Sequence, residues 1–268
     1  MGIIEPIIFI LIGGVSGIFS GALGIGGGLI VVPALTIYYG AIGSSGDIYL
    51  MASSTSLVVM IFTTLSGAVS HLKYKTIDFK LVRYLLIGTV TGSVLGRCLL
   101  LYLSHTGRNF SSITFLAIVT FIAFRLCKSI FYSDLNPKNS LEHNQLLYAV
   151  FFISVLGAWH GIGVGSLLVP WLLYRMVDQK NATAISTVCN FILSITATII
   201  IFTYSNHLGP NSIFDVISLK AVATIGLASF ITSPIGVILT RKIQPRIFKL
   251  VMLCFILSLA LQQIVMIF

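Results

Sequence analysis

Two glycine clusters are the residues in this chain whose types and spacing could do chemistry. Residues 24–33 read GIGGGLIVVP and residues 161–170 read GIGVGSLLVP, so the second cluster repeats the first at a constant offset (161 − 24 = 137). Glycines let a helix break and restart, and a restarted helix presents unpaired N–H groups and the positive end of its dipole. Two such helix starts facing each other at the middle of a membrane would bind a small anion.

Hydroxyl and amide side chains near the clusters could complete such a site. Ser54 and Thr55 align with Ser186 and Thr187 (186 − 54 = 132), and Asn190 lies one helical turn beyond Ser186. These groups can donate hydrogen bonds to anion oxygens without burying a charge, although hydroxyls also bond to carbonyls of their own helix. A histidine directly before the second cluster could bind an anion or carry a proton, although a lone histidine is more often a structural donor. The predicted substrate-binding residues are Ser20, Gly24, Gly26, Gly27, Gly28, Ser54, Thr55, His160, Gly161, Gly163, Gly165, Ser186, Thr187 and Asn190.

Both clusters lie inside uncharged runs that are too long for one membrane helix. The runs cover residues 6–46 and 144–174. As a single helix, residues 7–38 would be about 48 Å long, whereas the hydrocarbon core of a bilayer is about 30 Å thick. We therefore expect each run to break at its glycines and to form a re-entrant or hairpin segment.

Each broken segment is followed by three helix-length segments, so the chain is predicted to consist of two repeats of one unit. The first repeat covers residues 1–132 and the second covers residues 144–268, and the polar residues 133–143 link them. The helix-length segments are residues 48–72, 84–103, 109–131, 182–204, 221–240 and 246–268.

The composition predicts an all-α, polytopic integral membrane protein. Hydrophobic residues make up 57% of the chain and charged residues only 9%, whereas a soluble domain is about 25% charged. We expect a multi-pass protein of the inner (plasma) membrane. The net charge of +9 lies in short loops, which indicates membrane orientation and not nucleic-acid binding. The four cysteines have no CxxC spacing, and no metal site or cofactor is expected.

The basic loops change position between the repeats. Residues 73–83 of the first repeat carry four Lys or Arg, and their counterpart in the second repeat, residues 205–220, carries one. In the next loop the order is reversed, with one in residues 104–108 and four in residues 241–249. If basic loops face the cytoplasm, the repeats are inverted and both termini lie outside. The alternative has eight straight helices in parallel halves.

Other features have plainer interpretations. Gly13, Gly17 and Gly21 have the spacing of a helix-packing stripe. Three arginines at segment ends are expected to extend their charged groups to the membrane surface and to act as anchors; they are Arg97, Arg125 and Arg175. No helix-length segment carries a carboxylate near its middle, which argues against a carboxylate relay for Na⁺ or protons. The GVSG sequence at residues 14–17 is similar to the serine motif of rhomboid proteases, but the repeat does not preserve its serine.

The order of the motifs resembles the TauE/SafE family of sulfite-exporter-like membrane proteins. The similar segments are residues 16–17, 20–21, 24–33 and 53–57 in the first repeat and residues 160–170 and 182–187 in the second. The resemblance implies a secondary transporter, not an enzyme, that exports sulfite or organosulfonates such as sulfoacetate. The alternatives are a passive anion channel, an uptake carrier for another small anion, or a scaffold. The expected partners are a small anion and the lipid bilayer; coupling to protons or Na⁺ and the oligomeric state stay open.

Overall fold

The described part of the protein is built from α-helices. The computed structural model describes residues 4–43, 47–103, 143–175, 177–208 and 216–244 continuously, with isolated positions between 116 and 127 and between 246 and 257. The helices are α1 (Ile4–Leu23), α2 (Gly28–Ala41), α3 (Ile48–Lys73), α4 (Phe79–Leu103), α5 (His143–His160), α6 (Gly165–Tyr174), α7 (Gln179–Leu208) and α8 (Leu219–Lys242). The predicted segments 109–131 and 246–268 lie largely outside the described residues, as does the linker 133–143.

Five of these helices are long and apolar enough to cross a bilayer, namely α1, α3, α4, α7 and α8. Their outer surfaces are also apolar: on α8, for example, Leu227 is 63% exposed and Ile231 is 70% exposed. Such surfaces are stable in lipid and not in water. The predictions of an all-α fold and of a polytopic membrane protein are therefore confirmed.

The two glycine-rich runs form helical hairpins. We call residues 4–41 the first hairpin and residues 143–174 the second hairpin. Near the ends of α1 and α2, the rings of Phe9 and Tyr38 have centroids 5.0 Å apart. In the second repeat, Arg175 Nη2 donates to Gln145 Oε1 at 2.8 Å. Because the beginning and the end of each run lie together, each run enters the bundle and returns to the same side.

Each hairpin packs against the last described helix of the other repeat. Along α1, Gly13, Gly17 and Gly21 face α8, as their spacing predicted. A Cβ on Gly13 would lie 2.6 Å from the carbonyl oxygen of Ile225, and Gly21 lies against Ser233 further along α8. The residue numbers of the contacting pairs increase in the same direction along both helices, so α1 and α8 run parallel. The short distances show that their backbones are close.

The second hairpin shows the same arrangement with α4. Gly88 lies against Leu147, and Gly96 lies against Val155, so α4 and α5 also run parallel. Between them, a Cβ on Gly92 would lie 2.8 Å from the Cβ of Ser154. Small residues allow this close packing in lipid, where van der Waals contact between helices replaces the hydrophobic effect as the driving force.

Two basic segments meet at one end of the bundle. The guanidinium carbon of Arg241, at the end of α8, lies 4.1 Å from the ring centroid of Tyr74, directly after α3. This contact brings together residues 73–83 and the beginning of residues 241–249, two loops that together carry eight of the sixteen Lys and Arg residues.

Candidate functional site

The tips of the two hairpins cross each other in the interior of the bundle. We call residues 24–28 and 161–165 the glycine crossing. A Cβ on Gly28 would lie only 2.8 Å from the Cα of Ile162, and Gly165 makes the matching contact with the first cluster. At these positions the two backbones touch, so any side chain would push the tips apart.

The two tips share their backbone conformation at two aligned pairs of glycines. Gly24 and Gly161 both have φ of 68°, and Gly26 and Gly163 have φ of 80° and 78°. These angles are in the left-handed region, which favours glycine because a Cβ would clash there. The first tip has one further left-handed residue, Gly27 at 84°. The repeat found in the sequence is therefore a repeat of backbone geometry.

Both return helices start at the crossing. Helix α2 starts at Gly28 and α6 starts at Gly165, and the residues at their N-caps, Gly27 and Val164, make no side-chain capping hydrogen bond. Beside the start of α6, Ser166 is completely buried, and its hydroxyl has no partner within the described part of the chain. An uncapped helix start with buried polar groups has the chemistry to bind an anion.

Polar side chains bind the backbone of the crossing. Asn190 accepts a hydrogen bond from the Val164 N–H at 2.7 Å and donates to the Gly24 carbonyl at 2.9 Å. Ser186 donates to the same carbonyl at 2.7 Å. Asn190 thus joins the two tips, and its amide satisfies backbone groups that the helix breaks would otherwise leave unpaired.

The two hydroxyls that bind the tips show how α3 and α7 correspond. Ser56 donates to the Gly161 carbonyl at 2.9 Å, just as Ser186 donates to Gly24. The offset between these serines is 186 − 56 = 130, so the predicted alignment of Ser54 with Ser186 is wrong by two residues. The error arose because residues 53–56 are all hydroxyl residues, so their types alone do not identify the one that faces the tip.

The remaining predicted hydroxyls are directed elsewhere. Thr55 Oγ1 accepts a hydrogen bond from the Ser218 N–H at 3.0 Å, next to the start of α8. Thr187 donates to a carbonyl of its own helix at 2.8 Å. Ser20 is buried in α1, and its carbonyl accepts the Gly24 N–H at 2.8 Å. The structure therefore does not bring these three side chains together at the crossing.

A second polar pair lies directly before the second tip. Tyr49, in the first turn of α3, is hydrogen-bonded through its hydroxyl to His160 Nδ1. The His160 ring is fully buried and stacks on Trp159 with centroids 5.9 Å apart. His160 thus ties the end of α5 to α3.

Arg97 also lies beside the first turns of α3, and its position differs from the one that the sequence predicts. It is fully buried, so the prediction of a surface anchor is wrong for this residue. Its Nη1 donates to Ser53 Oγ at 3.3 Å, and its Nη2 donates to Ser54 Oγ. The available signal was the glycine stripe of α4, which ends at Gly96 and predicts close packing at that level.

Long apolar helices, two glycine-broken hairpins and buried polar side chains at their tips define a multi-pass α-helical membrane protein. The model of the family "Sulfite exporter TauE/SafE" matches residues 9–262. The chain therefore belongs to the TauE/SafE family and is a membrane transporter, as the resemblance implied.

Related proteins from bacteria agree with this assignment. A "Probable membrane transporter protein" of Haemophilus influenzae is 28% identical over 87% of this chain and 88% of its own. The "Probable membrane transporter protein YunE" of Bacillus subtilis is 28% identical over 72% of this chain and 77% of its own. YjnA of the same organism, which bears the same description, is 27% identical over 92% and 97%. No solved structure gives a significant match. These findings, together with the five long apolar helices, indicate a multi-pass protein of the plasma membrane.

Proposed function

We propose that this protein is a secondary transporter that exports small sulfur-containing anions, sulfite or organosulfonates such as sulfoacetate. The family description names sulfite export. The observation that carries the proposal is the glycine crossing, where two uncapped helix starts from opposing hairpins meet in the membrane interior. Helix starts attract anions, and irregular backbone at membrane depth is tolerated where it is buried in protein or lines a cavity.

The depth of the crossing supports an anion site near the bilayer midplane. A Cβ on Gly26 or on Gly163 would lie 2.6 Å from Met60 Cε. Met60 lies halfway along α3, which crosses the membrane. The crossing is therefore near the middle of the membrane, where an anion would be equally far from both surfaces.

The positions of the loops support the inverted arrangement of the repeats. The loop after α3 and the end of α8 lie at one end of the bundle, because Arg241 packs on Tyr74. In parallel repeats these two loops would lie on opposite sides, since α8 corresponds to α4. With both basic segments in the cytoplasm, the first hairpin enters from outside and the second from inside.

The contacts also divide the helices into two groups that could move against each other. Helices α1, α2, α3 and α8 pack together, and so do α4, α5, α6 and α7, and the two groups pack on each other along α3 and α7. The polar contacts at the tips join the two groups: Ser56 binds Gly161, and Asn190 and Ser186 bind Gly24. Rocking of one group against the other around the crossing would give alternating access to a bound anion.

Counterflow in proteoliposomes tests this function. Vesicles containing the protein are loaded with unlabelled sulfite and diluted into radiolabelled sulfite, with and without a proton gradient. A secondary transporter accumulates label transiently above equilibrium, and competition with sulfoacetate, sulfate and thiosulfate then ranks the substrates. Absence of counterflow from folded, inserted protein would refute sulfite transport by a carrier, and unitary currents would indicate a channel.

The direction of transport needs a separate measurement. Inside-out membrane vesicles expose the cytoplasmic face, so an exporter accumulates sulfite in them when they are energised. Accumulation in right-side-out vesicles only would instead indicate uptake. Membrane vesicles prepared in the same way from cells that lack the protein are the control.

A further inference from the structure

Arg97 is a buried charge, and no carboxylate of the described residues forms an ion pair with it. Its side chain is fully buried, and two neutral serine hydroxyls accept its hydrogen bonds. The carboxylate whose charge acts on it is that of Asp47, but Asp47 is exposed at the start of α3 and accepts the Leu50 N–H at 3.0 Å. Burying a guanidinium inside a membrane protein without a counter-charge costs free energy, and such residues usually have a functional role.

The guanidinium has more N–H donors than the described residues accept. It carries five N–H groups, and the hydroxyls of Ser53 and Ser54 take two of them (5 − 2 = 3). Its Nε has no hydrogen-bond partner among the described residues. Both serines use their own protons to bond the Leu50 carbonyl, at 3.1 and 2.6 Å, so they present their lone pairs to Arg97. The arrangement holds the guanidinium in place and leaves one edge for an oxyanion.

The position of Arg97 links it to the moving parts of the proposed transporter. Arg97 is on α4, whereas its serine partners are on α3, so these hydrogen bonds also join the two helix groups. The backbone of Ser53 lies against Gly161: a Cβ there would be 2.6 Å from the Ser53 carbonyl oxygen. An anion at Arg97 would therefore lie beside the tip of the second hairpin.

The other repeat has no such charge. The position that corresponds to Arg97 at the offset of α4 and α8 (236 − 96 = 140) is Val237, a buried residue of α8. His160 likewise corresponds to Leu23 (160 − 137 = 23). The two tips share most of their backbone conformation, but among the described residues only the second tip has an arginine beside it.

We propose that Arg97, held by Ser53 and Ser54 beside the tip of the second hairpin, binds the negatively charged group of the transported oxyanion, so that the transporter has one asymmetric anion site. This inference rests on the proposed function, because it takes a small sulfur oxyanion as the ligand. The proposal adds a charged residue, Arg97, to an anion site that otherwise consists of neutral backbone and side-chain groups at the glycine crossing.

Anion-dependent thermal unfolding and transport kinetics of Arg97→Met test the proposal. Arg83→Met is the matched control, because Arg83 is an exposed arginine on the same helix. Purified proteins are heated in buffer with sulfite, sulfate, methanesulfonate or chloride, and the KM for sulfite is measured by counterflow. We expect sulfite to raise the unfolding temperature of wild type and Arg83→Met but not of Arg97→Met. Loss of a charge-assisted hydrogen bond should raise KM about 10- to 100-fold.

A purely structural arginine would give a different result. Arg97→Met would then lower the unfolding temperature in anion-free buffer and leave the sulfite-induced increase unchanged, which would overturn the proposal. We expect the opposite, because methionine removes an unpaired buried charge. Chloride giving the same increase as the sulfur oxyanions would also overturn it, since the guanidinium edge is matched to oxyanions.

Two further variants keep the test decisive if Arg97→Met does not fold. Arg97→Lys keeps the charge but lacks the planar donor edge, and Ser54→Ala removes the acceptor that positions Nη2. Both should raise KM for sulfite, and a wild-type KM and wild-type sulfite response in both would overturn the role of Arg97. Absence of counterflow in wild type would instead refute the proposed function, so the two failures are distinguishable.

Discussion

Replacing Gly165 by alanine tests whether the two hairpin tips need direct backbone contact. The new Cβ would overlap the carbonyl oxygen of Gly24 and would lie 2.6 Å from the Cα of Ile25, whereas ordinary contacts begin at 3.4 Å, so the tips must separate by more than 0.8 Å (3.4 − 2.6). Gly165 does not have a positive φ, so the effect is steric and not conformational strain. Because each tip is fixed by its own two helices, this separation is costly, and overpacking of this kind costs about 1–3 kcal/mol.

The control variants lie at glycines with open surroundings. Gly14 in α1 and Gly40 in α2 have no described atom within 4 Å of an added Cβ. At a helical position alanine is favoured over glycine by about 1 kcal/mol, so Gly14→Ala and Gly40→Ala should be neutral or stabilising. Any general effect of alanine substitution on insertion or expression appears in these controls as well.

Two measurements distinguish the outcomes for Gly165→Ala. Thermal unfolding of purified protein should show a loss of about 1–3 kcal/mol relative to Gly14→Ala. Counterflow of labelled sulfite should fall at least about tenfold, since a displacement near 1 Å disturbs a positioned binding site. If Gly165→Ala is as stable and as active as Gly14→Ala, the tips do not need to touch and the argument from the crossing is refuted.

Other predictions concern the polar contacts and the membrane orientation. Asn190→Ala should destabilise the protein by about 1–3 kcal/mol because the Val164 N–H loses its acceptor. Ser186→Ala should destabilise it by only about 1 kcal/mol, because the Gly24 carbonyl still accepts the hydrogen bond from Asn190. Thermal unfolding compares the two, and the reverse order would contradict the assignment. In a variant without native cysteines, Lys75→Cys and Lys242→Cys should both react with an impermeant thiol reagent from the cytoplasmic side. Labelling from opposite sides would contradict the inverted arrangement.

The hairpins could be predicted from the sequence because length and glycine spacing are local properties. An uncharged run of residues 6–46 exceeds the thickness of a bilayer, and its repeat at residues 144–174 identifies the break as a structural element. The positive φ angles at Gly24 and Gly161 follow from the same pattern. These features need no knowledge of the partner helices.

The contacts between helices could not be predicted in this way. The roles of Ser53 to Ser56 depend on which side of α3 faces the second hairpin, and four consecutive hydroxyl residues contain no periodicity to show it. Arg97 is near the end of its segment, where arginine usually reaches the surface, but tertiary packing buries its side chain against Ser53 and Ser54 of α3. Burial of a charge is a tertiary property, and a single sequence does not contain it directly.

The packing of α1 on α8 has a consequence for how the chain is made. The glycine stripe of α1 finds its partner only in α8, more than 200 residues later in synthesis. Until α8 is inserted, the first hairpin lacks the surface that holds its backbone, and its uncapped break lies in lipid or in the insertion machinery. We therefore expect that residues 1–132 do not mature alone, and that a chain that ends before α8 is recognised by membrane quality control and degraded. Two separately expressed halves should stabilise each other in the same membrane.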